Sequence, residues 1–219
     1  MLIGIAGKIG TGKDEIAKII LSSYIPGMSV HKYADGLKDI VCLLIGCTRE
    51  DLEDREFKET ELGEEWDSIS CYDVGWDKDW SAQEPSFDTT KPIIKMTPRR
   101  MLQLLGTECG RQIIHPNIWC NMLMKEYDKK QIKWTPDGPT YVEHKKNWII
   151  TDVRFPNEAK AITDRGGIVI KVVRDTSSKD LHESETALNN YKFDYIIDNN
   201  GNLDDLNIKV GLMLKNFEL

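Results

Sequence analysis

Gly7-Lys8-Ile9-Gly10-Thr11-Gly12-Lys13-Asp14 is a stretch whose residue types and spacing could hold a chain of phosphates. Its glycines let backbone N–H groups turn inward and approach an anion closely. Lys13 would reach the outer phosphates as a movable charge, and the helical pattern starting near Asp14 points its positive dipole end at the same place. The pattern G-x-x-x-x-G-K-[ST] is satisfied except at its last place, where Asp14 occupies the position of a hydroxyl that normally touches magnesium. A glycine-rich turn is often only a tight connection. The lysine in register and the apolar run Leu2–Ala6 before it favour nucleotide binding.

A second group of candidates lies at strand ends and helix starts. Trp148-Ile149-Ile150-Thr151-Asp152 is an apolar strand ending in a carboxylate, and Asp152 is a candidate magnesium partner, directly or through water. Arg154 and Glu158 follow across the turn into the next helix. Asp152 and Arg154 could be a plain surface ion pair; the strand-end location, facing the usual ligand crevice of an α/β sheet, favours a site. Thr97-Pro98 reads as a helix start, which puts Arg99 and Arg100 in a first turn whose dipole disfavours cations. A bound anion would remove that conflict; the alternative is a surface pair costing only ~0.3–1 kcal/mol. Lys38 lies in the first turn of a helix opened by Asp35, and reads equally as a solvated lysine or a crevice residue. In the charged run Thr48–Gly63, Arg55 and Lys58 are spaced to share one helix face. The polar run from Arg174 to Glu185 is either a lid over phosphates, with Arg174 or Lys179 entering late and His182 orienting it, or an exposed loop.

The elements that would position these groups alternate. Strands are expected at Leu2–Ala6, Ser29–Ala34, Trp148–Asp152, Ile168–Val173 and Phe193–Asp198, with amphipathic helices between them. That pattern predicts an α/β doubly wound sheet with helices on both faces. Gly106-Thr107 should interrupt the helix that starts at Pro98, and Lys129–Lys146 reads as a surface excursion with no chemistry. Trp66, Trp76 and Trp80, in the irregular stretch 64–95, could stack on a base but more often bury a satellite cluster. The 219 residues suffice for one domain, or one domain with an insertion, and the formal net charge of −7 argues against a protein that coats duplex nucleic acid. The five scattered cysteines, without a C-x-x-C, suggest a reducing compartment and buried packing thiols. No signal peptide or membrane-length apolar run is visible.

Taken together, several islands resemble the deoxynucleoside monophosphate kinases of large tailed bacteriophages. They are Gly7–Asp14, Ala34-Asp35-Gly36-Leu37-Lys38, Arg99-Arg100-Met101-Leu102-Gln103 through Leu105-Gly106-Thr107, Trp119, Asp152-Val153-Arg154 with Glu158, Val172-Val173-Arg174 with His182–Glu185, and Asp198-Asn199-Asn200-Gly201. The resemblance spans nearly the whole chain in order. It implies one P-loop kinase domain over residues 1–219, a three-layer sandwich on a five-stranded parallel sheet. A monophosphate-binding insertion is expected at roughly 37–115 and a short lid at roughly 174–186. It implies ATP and Mg2+ for the donor and a dNMP as acceptor, in the cytoplasm of an infected bacterial host. The ATP site would be Gly7, Lys8, Gly10, Thr11, Gly12, Lys13 and Asp14, with Lys13 on the transferred phosphoryl group. Lys38, Arg55, Arg100, Gly106, Thr107, Trp119, Asp152, Arg154 and Glu158 would line the acceptor site. Lys13, Arg100, Arg154 and Asp152 would carry catalysis. Arg174, His182 and Glu185 would belong to the lid, and Asp14 and Asp152 would face the metal.

Two departures stand out. The family usually runs Gly-Lys-Asp-Thr, and here Glu15 replaces the threonine; Lys58 could also take the place given to Arg55. A homodimer is the guess for assembly, with no partner in duplex nucleic acid or membrane. Rival readings are a kinase of another small phosphate acceptor, similar to dephospho-coenzyme A kinase, and a P-loop regulatory NTPase. The latter's D-x-x-G is met by Asp198–Gly201, but after the fifth strand and with no Asn-Lys-x-Asp following. A non-catalytic anion-binding module is the remaining alternative.

Overall fold

The computed structural model describes residues 1–67, 94–136, 138–142, 146–175 and 187–219. These form two compact units: Met1–Asp35 with Asn117–Leu219, and Gly36–Pro116.

The first unit is built on a five-stranded parallel sheet. Its strands are β1 (Leu2–Ala6), β2 (Ser29–His31), β5 (Trp148–Val153), β6 (Ile168–Val173) and β7 (Tyr195–Asp198), in the order β2-β5-β1-β6-β7. β1 and β5 read as near-continuous apolar runs because both faces of the sheet are covered. On one face Ile3, Ile5, Ile149, Ile170, Val172 and Ile197 pack with α1 (Lys13–Ile19) and α7 (Leu203–Asn216). From α7 they meet Leu206, Val210, Met213 and Leu214. Each such fully buried aliphatic side chain contributes roughly 1.5–3 kcal/mol of transfer free energy. On the other face lies α6 (Pro156–Thr163), which packs on β1 and β6. This α/β architecture is of the P-loop kinase type. It places the loops after β1, β5, β6 and β7 at the carboxyl ends of the strands, where ligands bind such sheets.

Two strands are shorter than expected. β2 stops at His31 rather than Ala34, because the Tyr33 and Ala34 amides turn away from the ladder to a carboxylate of β5. β7 begins at Tyr195 rather than Phe193; Asp194 precedes it, tied through its own amide and side chain to Val169. The helix after the first loop widens into a π-helical turn at Ile20–Tyr24, where the Ile25 amide reaches Ile20 O at 2.7 Å. The stretch Lys129–Lys146 contains an antiparallel hairpin, β3 (Gln131–Thr135) with β4 (Gly138–Val142), capped by a Thr135 hydroxyl bond to Gly138 O. The single-residue alternation that marks such strands is weak in so polar a run.

A further helix of this unit, α5 (Ile118–Tyr127), is tied to α6 by Arg165. Its guanidinium donates to both oxygens of Asp128, at 2.9 and 2.6 Å.

The second unit carries most of α2 (Asp35–Ile45), then α3 (Arg55–Glu59) and α4 (Pro98–Gln103). Asp54 caps α3 by accepting from the Phe57 amide, and Thr97 caps α4 by accepting from that of Arg100. The expected interruption at Gly106-Thr107 does not occur: α4 runs on as a π-helical segment, Leu104–Ile114. Gly106 is needed there for close approach, since a Cβ would lie 2.8 Å from Leu37 Cδ2 of α2.

Of the tryptophans in the irregular stretch, Trp66 is half-buried, and Trp76 and Trp80 lie outside the described residues. The cysteines depart from the expected buried set: Cys120 is buried, whereas Cys42, Cys47 and Cys109 are half-buried free thiols, and Cys71 lies outside the described residues. Among the described residues no helix is long and apolar enough to cross a membrane.

Candidate active site

The loop between β1 and α1 is built by its glycines and locked from two sides. Gly10 and Gly12 hold left-handed φ of 79° and 96°, which a side chain would strain. Thr11 is buried, and its hydroxyl folds back onto Lys8 O at 2.9 Å rather than pointing outward. The Lys13 ammonium spans the loop and donates to Gly7 O and Lys8 O, both at 2.7 Å. From the far end of the chain, the buried Asn199 donates its side-chain amide to Thr11 O at 2.8 Å. That nitrogen lies 2.4 Å from where a Cβ on Gly12 would be. Asn199 was legible only as part of the Asp198–Gly201 turn; nothing in its spacing announces a bond to the first loop.

Asp14 follows Lys13, and its carboxylate faces the sheet. Oδ1 accepts from the Thr151 hydroxyl at 3.0 Å and meets the Lys32 ammonium at 3.2 Å. Burial pushes this carboxyl up, but Lys32, the Thr151 hydroxyl and Lys13 outweigh it and hold it below the usual carboxylate range. Lys32 and Thr151 did not figure among the candidates, because a lysine after a short strand and a threonine inside an apolar one have no motif.

Asp152 is pulled the other way. Its two oxygens accept the amides of Tyr33 and Ala34, at 2.7 and 2.9 Å, which fixes the turn into α2. Burial raises it above the ordinary carboxylate value, opposed by those amides and by Arg154. Glu158, also buried, accepts from the amides of Arg154 and Phe155 at 2.7 and 3.0 Å and so shapes the backbone that carries Arg154. The buried Tyr33 phenol, its pKa raised by burial, donates to Glu158 O at 2.9 Å and ties the two turns together. Trp119 is buried in α5.

In the second unit the cations gather around Lys58. Burial lowers its pKa, and Lys38, Arg99 and Arg55 lower it further as like charges, against Glu53. Lys38 is ion-paired with Glu53 and Arg99 with Glu59. Arg55 is exposed at the start of α3. Arg100 lies 3.8 Å from Glu108 Oε1, while Glu108 Oε2 is buried with no hydrogen-bond partner among the described residues. Gly106 and Thr107 are buried in the π-helical segment. Arg174 is exposed after β6, and His182, Glu185 and Lys179 lie outside the described residues.

Among the described residues no group of three or more His, Cys, Asp or Glu could hold a metal by itself. A divalent ion here would have to share its ligands with phosphate oxygens, as magnesium does in phosphoryl-transfer sites. Asp14 fits that role, being an exposed, ionised carboxylate at the mouth of the loop.

A parallel sheet with a glycine-rich, lysine-bearing loop at its first strand, and a carboxylate-arginine pair at the neighbouring strand end, defines a phosphotransferase of the P-loop kinase class. Comparison with known proteins narrows this. The chain belongs to the deoxynucleotide monophosphate kinase family, whose profile matches residues 77–210. It is 28% identical over 228 aligned residues to the deoxynucleoside-5'-monophosphate kinase of Escherichia phage T5, covering 86% of this chain and 85% of that one. A protein of Acanthamoeba polyphaga mimivirus, provisionally named a deoxynucleotide monophosphate kinase, is 33% identical over 118 residues, which are 50% of this chain and 56% of its own. The deoxynucleotide monophosphate kinase of Escherichia phage RB69 is 28% identical over 118 residues, 53% of this chain and 44% of its own. The kinase reading thereby prevails over the coenzyme A-precursor, regulatory NTPase and anion-module alternatives.

Proposed function

We propose that the protein transfers the γ-phosphoryl group of ATP to a deoxynucleoside 5'-monophosphate, with Mg2+, giving dNDP and ADP in the cytoplasm of an infected bacterial host. The observation that carries this is the loop Gly7–Asp14, wound about the Lys13 ammonium and anchored by Asn199. The loop's amides and Lys13 would receive the β- and γ-phosphates, Lys13 exchanging its carbonyl partners for phosphate oxygens. When bound, Mg2+ would neutralise charge on those oxygens; Asp14 would hold it, and Asp152 would act on it through water. Asp152 also sets the turn into α2, and Glu158 the backbone around Arg154, whose guanidinium would align the acceptor phosphate.

Lys38, Arg55 or Lys58, and Arg100 would neutralise the acceptor, with Gly106 and Thr107 giving the backbone of that site and Trp119 a wall for base or sugar. Residues 37–115 would be the acceptor-binding insertion, and 174–186, with Arg174, His182 and Glu185, the lid. A homodimer remains the proposed assembly. The attacking group is a phosphate oxygen already ionised near neutral pH, since a phosphate monoester loses its second proton at about pH 6. No general base is required, and catalysis is positioning and charge neutralisation.

The test is Lys13→Ala. We expect turnover to fall by ~100- to 1000-fold, the usual effect of losing one charged transition-state contact, with the circular dichroism spectrum of the folded protein retained. A variant that phosphorylates dNMPs at wild-type speed would refute the donor assignment. Assay of the four canonical dNMPs and their hydroxymethylated forms decides which base is accepted.

A further inference from the structure

Lys171 stands in the middle of β6, opposite Ala6 of β1. Its neighbours Ile170 and Val172 face the core with α1 and α7, so the alternation of a strand turns Lys171 to the other side. There the half-buried ammonium sits 5.2 Å from the centroid of the Phe193 ring, and among the described residues it meets no carboxylate. It lines a cavity of about 50 Å³ together with Gly7 and Lys8 of the first loop, Arg154 after β5, and Leu188 and Phe193.

Two cationic residues thus line one small space beside the phosphate loop. Among the described residues the Lys171 ammonium has no carboxylate beside it, and the Phe193 ring holds it in place. An anion entering the cavity would meet it there. In a kinase of monophosphates that anion is a phosphate group, and Arg154, assigned above to the acceptor, makes the acceptor's phosphate the candidate.

We propose that Lys171 is a further binding residue for the acceptor's phosphate, acting beside Arg154, with Phe193 positioning its ammonium and Leu188 keeping water away. This rests on the kinase reading above. Two cations, one from within β6 and one just after β5 on the far side of β1, can hold two oxygens of one phosphate, which fixes its orientation as a single arginine does not.

The experiment compares the wild-type protein with Lys171→Met, which keeps the apolar stem over Phe193, and Lys171→Arg, which keeps the charge. Binding of each canonical dNMP is measured by isothermal titration without ATP, and that of a non-hydrolysable ATP analogue separately. We expect Lys171→Met to bind the accepted dNMP about 10-fold more weakly or worse. Analogue affinity should be unchanged, and Lys171→Arg should recover most of the loss. In the wild-type chain, saturating dNMP should also slow reductive methylation of Lys171, read by mass spectrometry, which decides the matter even if Lys171→Met fails to fold. Unchanged dNMP affinity in a folded Lys171→Met, a loss confined to the ATP analogue, or no protection of Lys171 would each overturn the inference. A wild-type protein that phosphorylates no dNMP would instead overturn the kinase reading beneath it.

Discussion

Replacing Asn199 with alanine cuts a side-chain bond that ties the turn after β7 to the phosphate loop. The donor amide lies 2.8 Å from Thr11 O, and both residues are buried. The variant loses a neutral hydrogen bond, worth about 1 kcal/mol net, and leaves a buried carbonyl to pay its desolvation cost, so a loss of about 2–3 kcal/mol is expected. For a chain of this size each kcal/mol lowers the melting temperature by about 2–4 °C, which predicts a fall of roughly 5–10 °C. The loop would also sample arrangements unable to hold phosphates. If 2 kcal/mol of the loss falls on that equilibrium, KM for ATP rises by up to about 30-fold, while KM for the dNMP moves little.

Gly12→Ala attacks the same lock from the other side, since its Cβ would sit 2.4 Å from the Asn199 amide. Removing both groups relieves that collision, so the double variant should lose less than the sum of the singles. The measurements are thermal melts and steady-state kinetics with each substrate varied in turn. An Asn199→Ala protein with wild-type melting and wild-type KM for ATP would show that the lock contributes nothing.

Two further outcomes are expected. Arg100→Ala should mainly weaken dNMP binding, by about 10- to 100-fold, with the melting temperature nearly unchanged because its guanidinium is only loosely held by Glu108; equal dNMP affinity would remove it from the acceptor site. The hydrogen bond from Arg165 holds the Asp128 carboxyl below its usual range. A depressed folded value contributes stability above the unfolded pKa of about 4, lost as pH falls through the folded one. Both groups are partly exposed, so Arg165→Met should cost only about 1 kcal/mol at pH 7. That gap should close by pH 3 in urea titrations, and a gap that persists would assign the loss to packing.

The alternation of apolar strands with amphipathic helices was enough to indicate a parallel α/β sheet, because a strand buried on both faces must be apolar throughout and cannot hide. The loop Gly7–Asp14 was equally plain, since its chemistry lies in eight consecutive residues. Helix interiors were less legible. Gly106-Thr107 reads as a break, but a widened turn and the approach of Leu37 convert that glycine into a packing residue.

What only the tertiary structure decided is which distant residues meet. Asn199 reaches the first loop from 188 positions away, and Asp152 spends both its oxygens on the amides of Tyr33 and Ala34. Lys32 and Thr151 converge on Asp14 from two neighbouring strands, and Lys171 enters a cavity with Arg154. None of these pairings has a spacing along the chain. They follow from the strand order β2-β5-β1-β6-β7, which local periodicity does not encode and which long-range packing selects.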